Sequence, residues 1–190
     1  MINIQKLSRA FEAKTLGEAE IDEVRALCCE NELFYSYCPP FVTAESIRAD
    51  MRALPKNKEQ KDKLYVGFYD ASELVAVMDL ILAYPDDETA FLGFFMLKRS
   101  LQGAGVGSAL FGEICAFLRE NGFRYAKLGV VKGNPQSFRF WSKNGFTAFG
   151  EESPKEEYIV VPMRKVLWSA LSLDRLSRLL YTDTVFYSMD

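Results

Sequence analysis

The segment KRSLQGAGVG, residues 98 to 107, decides the fold prediction because it places three alternating glycines between an apolar strand and a helix. Gly103, Gly105 and Gly107 can adopt left-handed or close-approach conformations without the penalty that a Cβ atom carries. A glycine-rich turn at a helix N-terminus directs unpaired N–H groups and the positive end of the helix dipole at one point. The segment therefore predicts a site for a diphosphate group.

Two nucleotide-binding motifs do not fit this turn. No Lys-Ser or Lys-Thr pair follows the glycines, which excludes a P-loop. A dinucleotide fingerprint, G-x-G-x-x-G, needs a third glycine where Ser108 or Leu110 stands, depending on where the count begins. A turn without a ligand remains an alternative, although three alternating glycines at a helix start cost conformational entropy.

The rest of the chain predicts strands and helices on both sides of this turn. Short apolar runs bounded by turn residues predict strands over residues 9–15, 64–69, 74–82, 90–97, 125–131, 146–149 and 157–163. Helical spacing and capping residues predict helices over residues 17–28, 43–54, 106–121 and 134–142. The charged stretch 56–63 is expected to be a solvated loop. Residues 164–190 again show helical spacing, which favours a terminal helix.

Composition limits the function. The chain has 190 residues, of which 49% are apolar and 26% charged, and this balance is typical of one globular domain. Histidine is absent, so imidazole catalysis is excluded, and none of the four cysteines forms a C-x-x-C pair, so we expect no metal. The net charge of -3 argues against nucleic acid as a partner. No apolar run reaches the ~18 residues of a membrane span, so we expect a cytoplasmic protein without membrane contact.

The turn and the segment after it resemble one enzyme family. Gln102-x-x-Gly105-x-Gly107 is similar to the [R/Q]-x-x-G-x-[G/A] signature of the GNAT superfamily of acyl-CoA-dependent N-acetyltransferases. Asn134, followed by FWSKNGF at residues 140–146, resembles the N-x-x-A and Y-x-x-x-G-F segment of that family. The similarity covers residues 90–146 with one consistent spacing.

The resemblance implies an α/β fold of the α+β type, with a mixed, mostly antiparallel sheet of about seven strands and helices on both faces. It implies an acetyltransferase domain over residues 1–163, followed by a C-terminal helical extension over 164–190. In this family the fourth and fifth strands diverge, and the pantetheine arm of acetyl-CoA, the cosubstrate, enters between them.

The resemblance also assigns cofactor-binding residues. The strand backbone at Phe95, Met96 and Leu97 is expected to bind pantetheine, with Asn134 on the far side. Ser137 stands where the family often has Ala, and Lys143 is a candidate partner of the CoA phosphates. The expected pyrophosphate amides are those of Gln102, Gly103, Ala104, Gly105, Val106 and Gly107.

The usual catalytic residues of the family are missing. Trp141 occupies the position of its general-acid Tyr, and Gly129 that of a Glu found in some members. Asp79, flanked by apolar residues in a predicted strand, is a candidate base with a raised pKa or, equally, a structural carboxylate. Tyr158 is a candidate acid, with Tyr84 as an alternative.

The resemblance implies transfer of an acetyl group from acetyl-CoA to a primary amine of a small molecule or peptide, by direct attack in a ternary complex. In the family the segment between the first helices often forms the acceptor wall. Here it carries aromatic residues, which would suit an amine with an apolar portion or simply pack in the core: Phe34, Tyr35, Tyr37 and Phe41. The alternatives are a CoA-binding sensor or scaffold without turnover, and an interaction protein, such as a homodimer, formed through the terminal segment.

Overall fold

A computed structural model describes residues 2–168 of the chain. It contains eight strands within these residues, and their bounds are β1 Glu12–Thr15, β2 Lys63–Asp70, β3 Glu73–Ile81, β4 Thr89–Leu97, β5 Tyr125–Val131, β6 Thr147–Ala148, β7 Ser153–Pro154 and β8 Ile159–Val166. Its α-helices are α1 Ile21–Cys29, α2 Glu32–Tyr37, α3 Ala44–Arg52, α4 Val106–Glu120 and α5 Pro135–Lys143.

The strands form one sheet in the order β1-β2-β3-β4-β5-β8-β6, with β7 paired to β8. Among these described strands only β4 and β5 are parallel, because the connection between them is the crossover helix α4, whereas the other neighbours are antiparallel. This mixed, mostly antiparallel α/β sheet confirms the predicted fold class.

The helices cover both faces of the sheet because side chains alternate along each strand. On β2, Val66 and Phe68 belong to the core that packs on α4, whereas Tyr65 and Tyr69 belong to the core under α1 and α3. We refer to these as the α4 face and the α1 face. Both cores extend to β4, and Leu97 at the end of this strand belongs to the core on the α4 face.

Most predicted elements are present within a few residues of their expected bounds, but two predictions need correction. Lys63 does not lie in a solvated loop: it begins β2, and its side chain is 1% exposed. The last strand continues to Val166, so the predicted boundary at residue 163 cuts through β8. The remainder of the predicted terminal helix, residues 169–190, lies outside the described residues.

Candidate functional site

Strands β4 and β5 diverge in the middle of the sheet. Their parallel pairing covers only Thr89–Leu92 with Tyr125–Leu128, and beyond it the two strands form a wedge. The divergence begins at a bulge, where Leu80 faces Leu92 but Asp79 faces Phe94, so that Gly93 is an extra residue in β4. The wedge is therefore a property of the backbone.

Glycine stands on both strands where they part. A Cβ atom on Gly93 would lie 2.6 Å from Asp79 Oδ2, and one on Gly129 would lie 2.5 Å from Val160 Cγ1. The second contact means that a side chain at Gly129, where some family members are expected to carry a Glu, would displace Val160. No side chain fits at either position without a shift of its neighbours.

The wedge opens into a cavity of about 1130 Å³. Drug-sized ligands occupy pockets of roughly 300–1,000 Å³, so this cavity lies slightly above that range. It is lined by the edges of β4 and β5, the glycine-rich turn, α5, the segment from Cys29 to Phe34, and Tyr158.

The backbone of β4 exposes only part of the predicted pantetheine site. The Lys98 N–H donates to the Val75 C=O, and bonded and non-bonded pairs alternate along an antiparallel ladder. Counting back along the register, Met96 bonds to β3, whereas the backbone groups of Phe95 and Leu97 face the wedge. The register therefore assigns the backbone of Met96 to β3, although Met96 lines the cavity, and its part in binding pantetheine stays a prediction.

The glycine-rich turn has the predicted form. Gly103 and Gly105 adopt φ values of +81° and +85°, and a Cβ atom on either would meet nothing within 4 Å. Gly105 is the N-cap of α4, so the amides of Val106, Gly107 and Ser108 have no partner inside the helix, and the first bond within it is from the Ala109 N–H to the Gly105 C=O. One predicted amide is already used: the Gln102 N–H donates to the Arg99 C=O at 3.2 Å.

Cationic side chains surround this turn. Arg99, Arg139 and Lys143 line the cavity, where they would complement phosphate charge. Lys98, the other cation before the turn, instead pairs with Glu73. The positive rim thus comes from the turn and from α5.

Asn134 is fixed at the start of α5. Its Oδ1 accepts a hydrogen bond from the Ser137 N–H at 3.1 Å, and Pro135 at the first helical position fits this N-cap geometry. Asn134 is 3% exposed, and it lines the cavity together with Ser137. The Nδ2 group remains as the donor that the side chain offers to a ligand.

Trp141 is a core residue at the edge of the cavity. It is 8% exposed and packs edge-on against Phe111 and Phe146, with ring centroids 5.0 and 5.3 Å away. Its indole cannot act as an acid at neutral pH, so the position of the usual general acid serves packing here.

The two predicted catalytic residues lie in different environments. Tyr158 lines the cavity beside Cys38, and burial first, then Cys38, raises the pKa of its phenol. Asp79 lies behind Gly93 and is not among the lining residues. Burial raises the pKa of Asp79, and the hydrogen bond from Lys63 opposes that rise.

Lys63 is the partner that sequence reasoning missed. Its Nζ donates to Asp79 Oδ2 at 2.8 Å and to the Ala53 C=O at 3.0 Å, whereas Asp79 Oδ1 is buried without a partner among the described residues. An isolated apolar-flanked carboxylate in the sequence implies a buried cation nearby, and that signal could have found Lys63.

Aromatic residues cluster on the α1 face, and Phe34 lines the cavity there; we refer to this cluster, with Leu33, as the acceptor-side wall because the family resemblance predicts that role. Phe34 packs on Phe94 and Tyr35, and Tyr35 packs on Phe41, with ring centroids 5.0 to 5.9 Å apart. Leu33 and Phe41 are 49% and 45% exposed. The predicted aromatic cluster is thus partly core and partly open surface.

Residues 2–168 contain no cluster of three or more His, Cys, Asp or Glu side chains that could hold a metal ion. Over the same residues, no helix combines the length and apolar character of a membrane span.

Comparison with known proteins identifies the family. The model of the acetyltransferase (GNAT) family matches residues 30–146, and the chain therefore belongs to that family. A search of curated protein sequences gave no match.

Solved structures share the fold at low sequence identity. An acetyltransferase from Thermus thermophilus superposes with a TM-score of 0.66 at 18% identity, covering 83% of this chain and 97% of that one. The PaiA N-acetyltransferase of Thermoplasma acidophilum, solved with coenzyme A, gives 0.59 at 20% identity, covering 82% and 98%. A spermidine N-acetyltransferase SpeG chimera from Vibrio cholerae and hSSAT gives 0.63 at 16% identity, covering 83% and 96%.

Proposed function

We propose that this protein transfers an acetyl group from acetyl-CoA to a primary amine of a small molecule or peptide, by direct attack in a ternary complex. The observation that carries the proposal is the wedge between β4 and β5, which leads from an open glycine-rich turn to the acceptor-side wall. Membership of the GNAT family supports the acetyltransferase chemistry.

The chain's own groups suit each part of CoA. The free amides of Gly103 through Gly107 would hold the diphosphate, with Arg99, Arg139 and Lys143 supplying charge. The Phe95 backbone and the Leu97 N–H would pair with pantetheine on one side, and Asn134 Nδ2 would do so on the other. Ser137 lies beside Asn134 and would shape the same wall.

The acceptor would approach from the α1 face. The wall there is largely apolar, with Leu33, Phe34 and Phe94 at the cavity. An amine with an apolar portion would bury that portion against these side chains, at about 25 cal/mol per Å² of apolar area removed from water. Asp86, in the turn before β4, is already engaged: its Oδ1 accepts from Thr89 Oγ1 at 2.6 Å, and Thr89 lies in the part of β4 that pairs with β5, away from the wedge.

Two proton transfers are assigned to the predicted catalytic residues. Tyr158 would protonate the leaving thiolate, because its raised pKa keeps the phenol protonated at neutral pH. Asp79 would accept the proton of the attacking amine through a water molecule at the bulge, from its place behind Gly93.

Substitution of these residues is expected to change the pH dependence of kcat. Asp79 acts as a base only when ionised, so activity should fall as pH drops through its pKa, which burial raises above the ordinary Asp value. Asp79→Asn should remove this acidic limb.

Tyr158→Phe should lower kcat by roughly 10²-fold, the usual size of one acid–base contribution, with KM for acetyl-CoA nearly unchanged. Wild-type profiles in both variants would remove Asp79 and Tyr158 from the mechanism.

A thermal-shift and thiol-release experiment tests the function itself. A hundredfold excess of acetyl-CoA or CoA over Kd stabilises a protein by about 2.7 kcal/mol, which raises the Tm of a chain this size by roughly 5–10 °C. NADH at the same concentration should have no effect. Primary amines with an apolar portion should then release free thiol from acetyl-CoA. Stabilisation by NADH alone would overturn the choice of ligand.

A CoA-binding sensor without turnover is the second candidate. It is favoured by the absence of the family's usual Tyr and Glu, whose positions are occupied by Trp141 and Gly129. It predicts the same stabilisation by CoA with no thiol release across a broad amine panel. The two candidates therefore differ in the second half of the experiment.

A further inference from the structure

Two side-chain amides, those of Asn31 and Gln102, join the glycine-rich turn to the acceptor-side wall. Gln102 Nε2 donates to Asn31 Oδ1 at 2.6 Å and to the Leu97 C=O at 2.9 Å. Asn31 Nδ2 donates to the Leu27 C=O at 3.0 Å and, at a longer 3.4 Å, to the same Leu97 C=O. We call this arrangement the Asn31–Gln102 link. It joins the end of α1 to the end of β4.

The Gln102 side chain is fully occupied. Its Oε1 accepts from Arg99 Nη1 at 3.1 Å and from Gln136 Nε2 at 3.2 Å, in addition to the two bonds that Nε2 donates. The carboxylate of Glu30 adds a second bond between the same segments by accepting from the Arg99 N–H at 3.2 Å. Gln102 therefore holds the turn in place and has no donor left for a phosphate.

Asn31 is the junction between α1 and α2. Its N–H donates to the Cys28 C=O, and its C=O accepts from the Phe34 N–H in the first turn of α2. The side chain is not used to cap α2 and reaches the turn instead. Because Leu33 and Phe34 of α2 line the cavity, a movement of Asn31 would displace the wall that the acceptor meets.

We propose that Asn31 is a positioning residue that couples the CoA turn to the acceptor pocket. Asn31 is 7% exposed, so the link cannot open without leaving buried amide groups unpaired, and this cost keeps the turn and α2 together. Binding of the CoA diphosphate fixes the turn and, through the link, fixes α2. Bound CoA therefore favours an ordered acceptor pocket, and a bound acceptor strengthens CoA binding by the same factor. The inference rests on the proposed function, since it takes CoA as the ligand of the turn.

Hydrogen exchange of the full chain, with and without CoA, tests the coupling and needs no knowledge of the acceptor. In the wild type, CoA should slow exchange of the α2 amides, residues 32–37, by about fivefold or more, the lower end of ordinary coupling between sites. In Asn31→Ala, CoA should still protect the turn but leave α2 exchange unchanged. The matched control is Asn121→Ala, which removes a similar bond, from Asn121 Nδ2 to the Phe117 C=O, at the far end of α4. It should behave as the wild type.

A double-mutant cycle on the Kd of CoA tests the same link from both ends. Asn31→Ala and Gln102→Met should each weaken CoA binding by about tenfold, and the double variant should be about as weak as either one because both remove one unit. If Asn31→Ala does not fold, the loss of α2 protection in Gln102→Met carries the test alone.

The outcomes separate the inference from the proposed function. A wild type that binds CoA without slower exchange in α2, or a hundredfold loss in the double variant, overturns the role of Asn31. A wild type that does not bind CoA at all refutes the proposed function, and the inference with it.

Discussion

At the scale of single residues, backbone conformation matters more at this site than side-chain chemistry. Gly105 has a φ of +85° and caps α4, whereas Gly112 lies inside the same helix with ordinary dihedral angles. Neither has an atom within 4 Å of the position that a Cβ would take. The two glycines therefore differ in conformation and not in available space, which makes them a matched pair.

Alanine at these two positions should have opposite effects on stability. Gly105→Ala places a Cβ in the left-handed region, which costs about 1–2 kcal/mol, and should weaken CoA binding because the turn relaxes. Gly112→Ala should raise the free energy of unfolding by about 1 kcal/mol through helix propensity and leave CoA affinity unchanged. Chemical denaturation and calorimetric CoA titration measure both. Equal CoA affinity in the two variants would show that the turn does not hold the diphosphate.

At the scale of elements, helices and strands could be predicted from local sequence patterns, whereas contacts between residues distant in the sequence could not. The β5 bounds and the Pro135 start of α5 follow from apolar runs and from proline at a first helical position. Helix α2 has only six residues, too few for periodicity to indicate it. The burial of Lys63 depends on Asp79, and the Asn31–Gln102 link joins residues 71 positions apart, so neither is visible in a local pattern. The wedge itself was expected only from the family resemblance.

A substitution at the bulge in β4 tests whether the bulge sets the shape of the wedge. In Gly93→Ala the new Cβ would lie 2.6 Å from Asp79 Oδ2, so β4 must shift or the carboxylate must leave Lys63. We expect a loss of about 1–3 kcal/mol in the free energy of unfolding, as for other overpacked sites, and weaker CoA binding as the wedge changes shape. The double variant Gly93→Ala/Asp79→Ser removes the carboxylate oxygen that the new Cβ would meet at 2.6 Å while keeping a hydroxyl on the same side chain, and should recover part of the CoA affinity. Failure of this rescue would mean that the contact with Asp79 does not set the wedge.

At the scale of the whole molecule, the question is where the folded unit ends. Strand β8 pairs with β5 along its length, and its last three residues, Arg164–Val166, face Lys127, Ala126 and Tyr125. Two further contacts follow the strand: the Leu167 N–H donates to the Arg124 C=O at 2.9 Å, and Trp168 Nε1 donates to the Phe123 C=O at 3.0 Å. The contacts of the folded unit with β5 and the residues before it therefore continue up to residue 168.

Two truncated chains locate this end. A chain of residues 1–168 retains every one of these contacts, so its Tm should stay within a few degrees of the full chain and its CoA affinity within about twofold. A chain of residues 1–163 loses the end of the ladder and the Leu167 contact with the core, and each lost hydrogen bond costs about 1 kcal/mol before the apolar area is counted. We expect it to lose several °C in Tm and, because β5 is one edge of the wedge, to bind CoA more weakly. Light scattering on the 1–168 chain measures its assembly state. A monomeric 1–168 chain beside a dimeric full chain would assign homodimer formation to residues 169–190. Loss of CoA binding by the 1–168 chain would contradict the boundary and make the terminal segment part of the site.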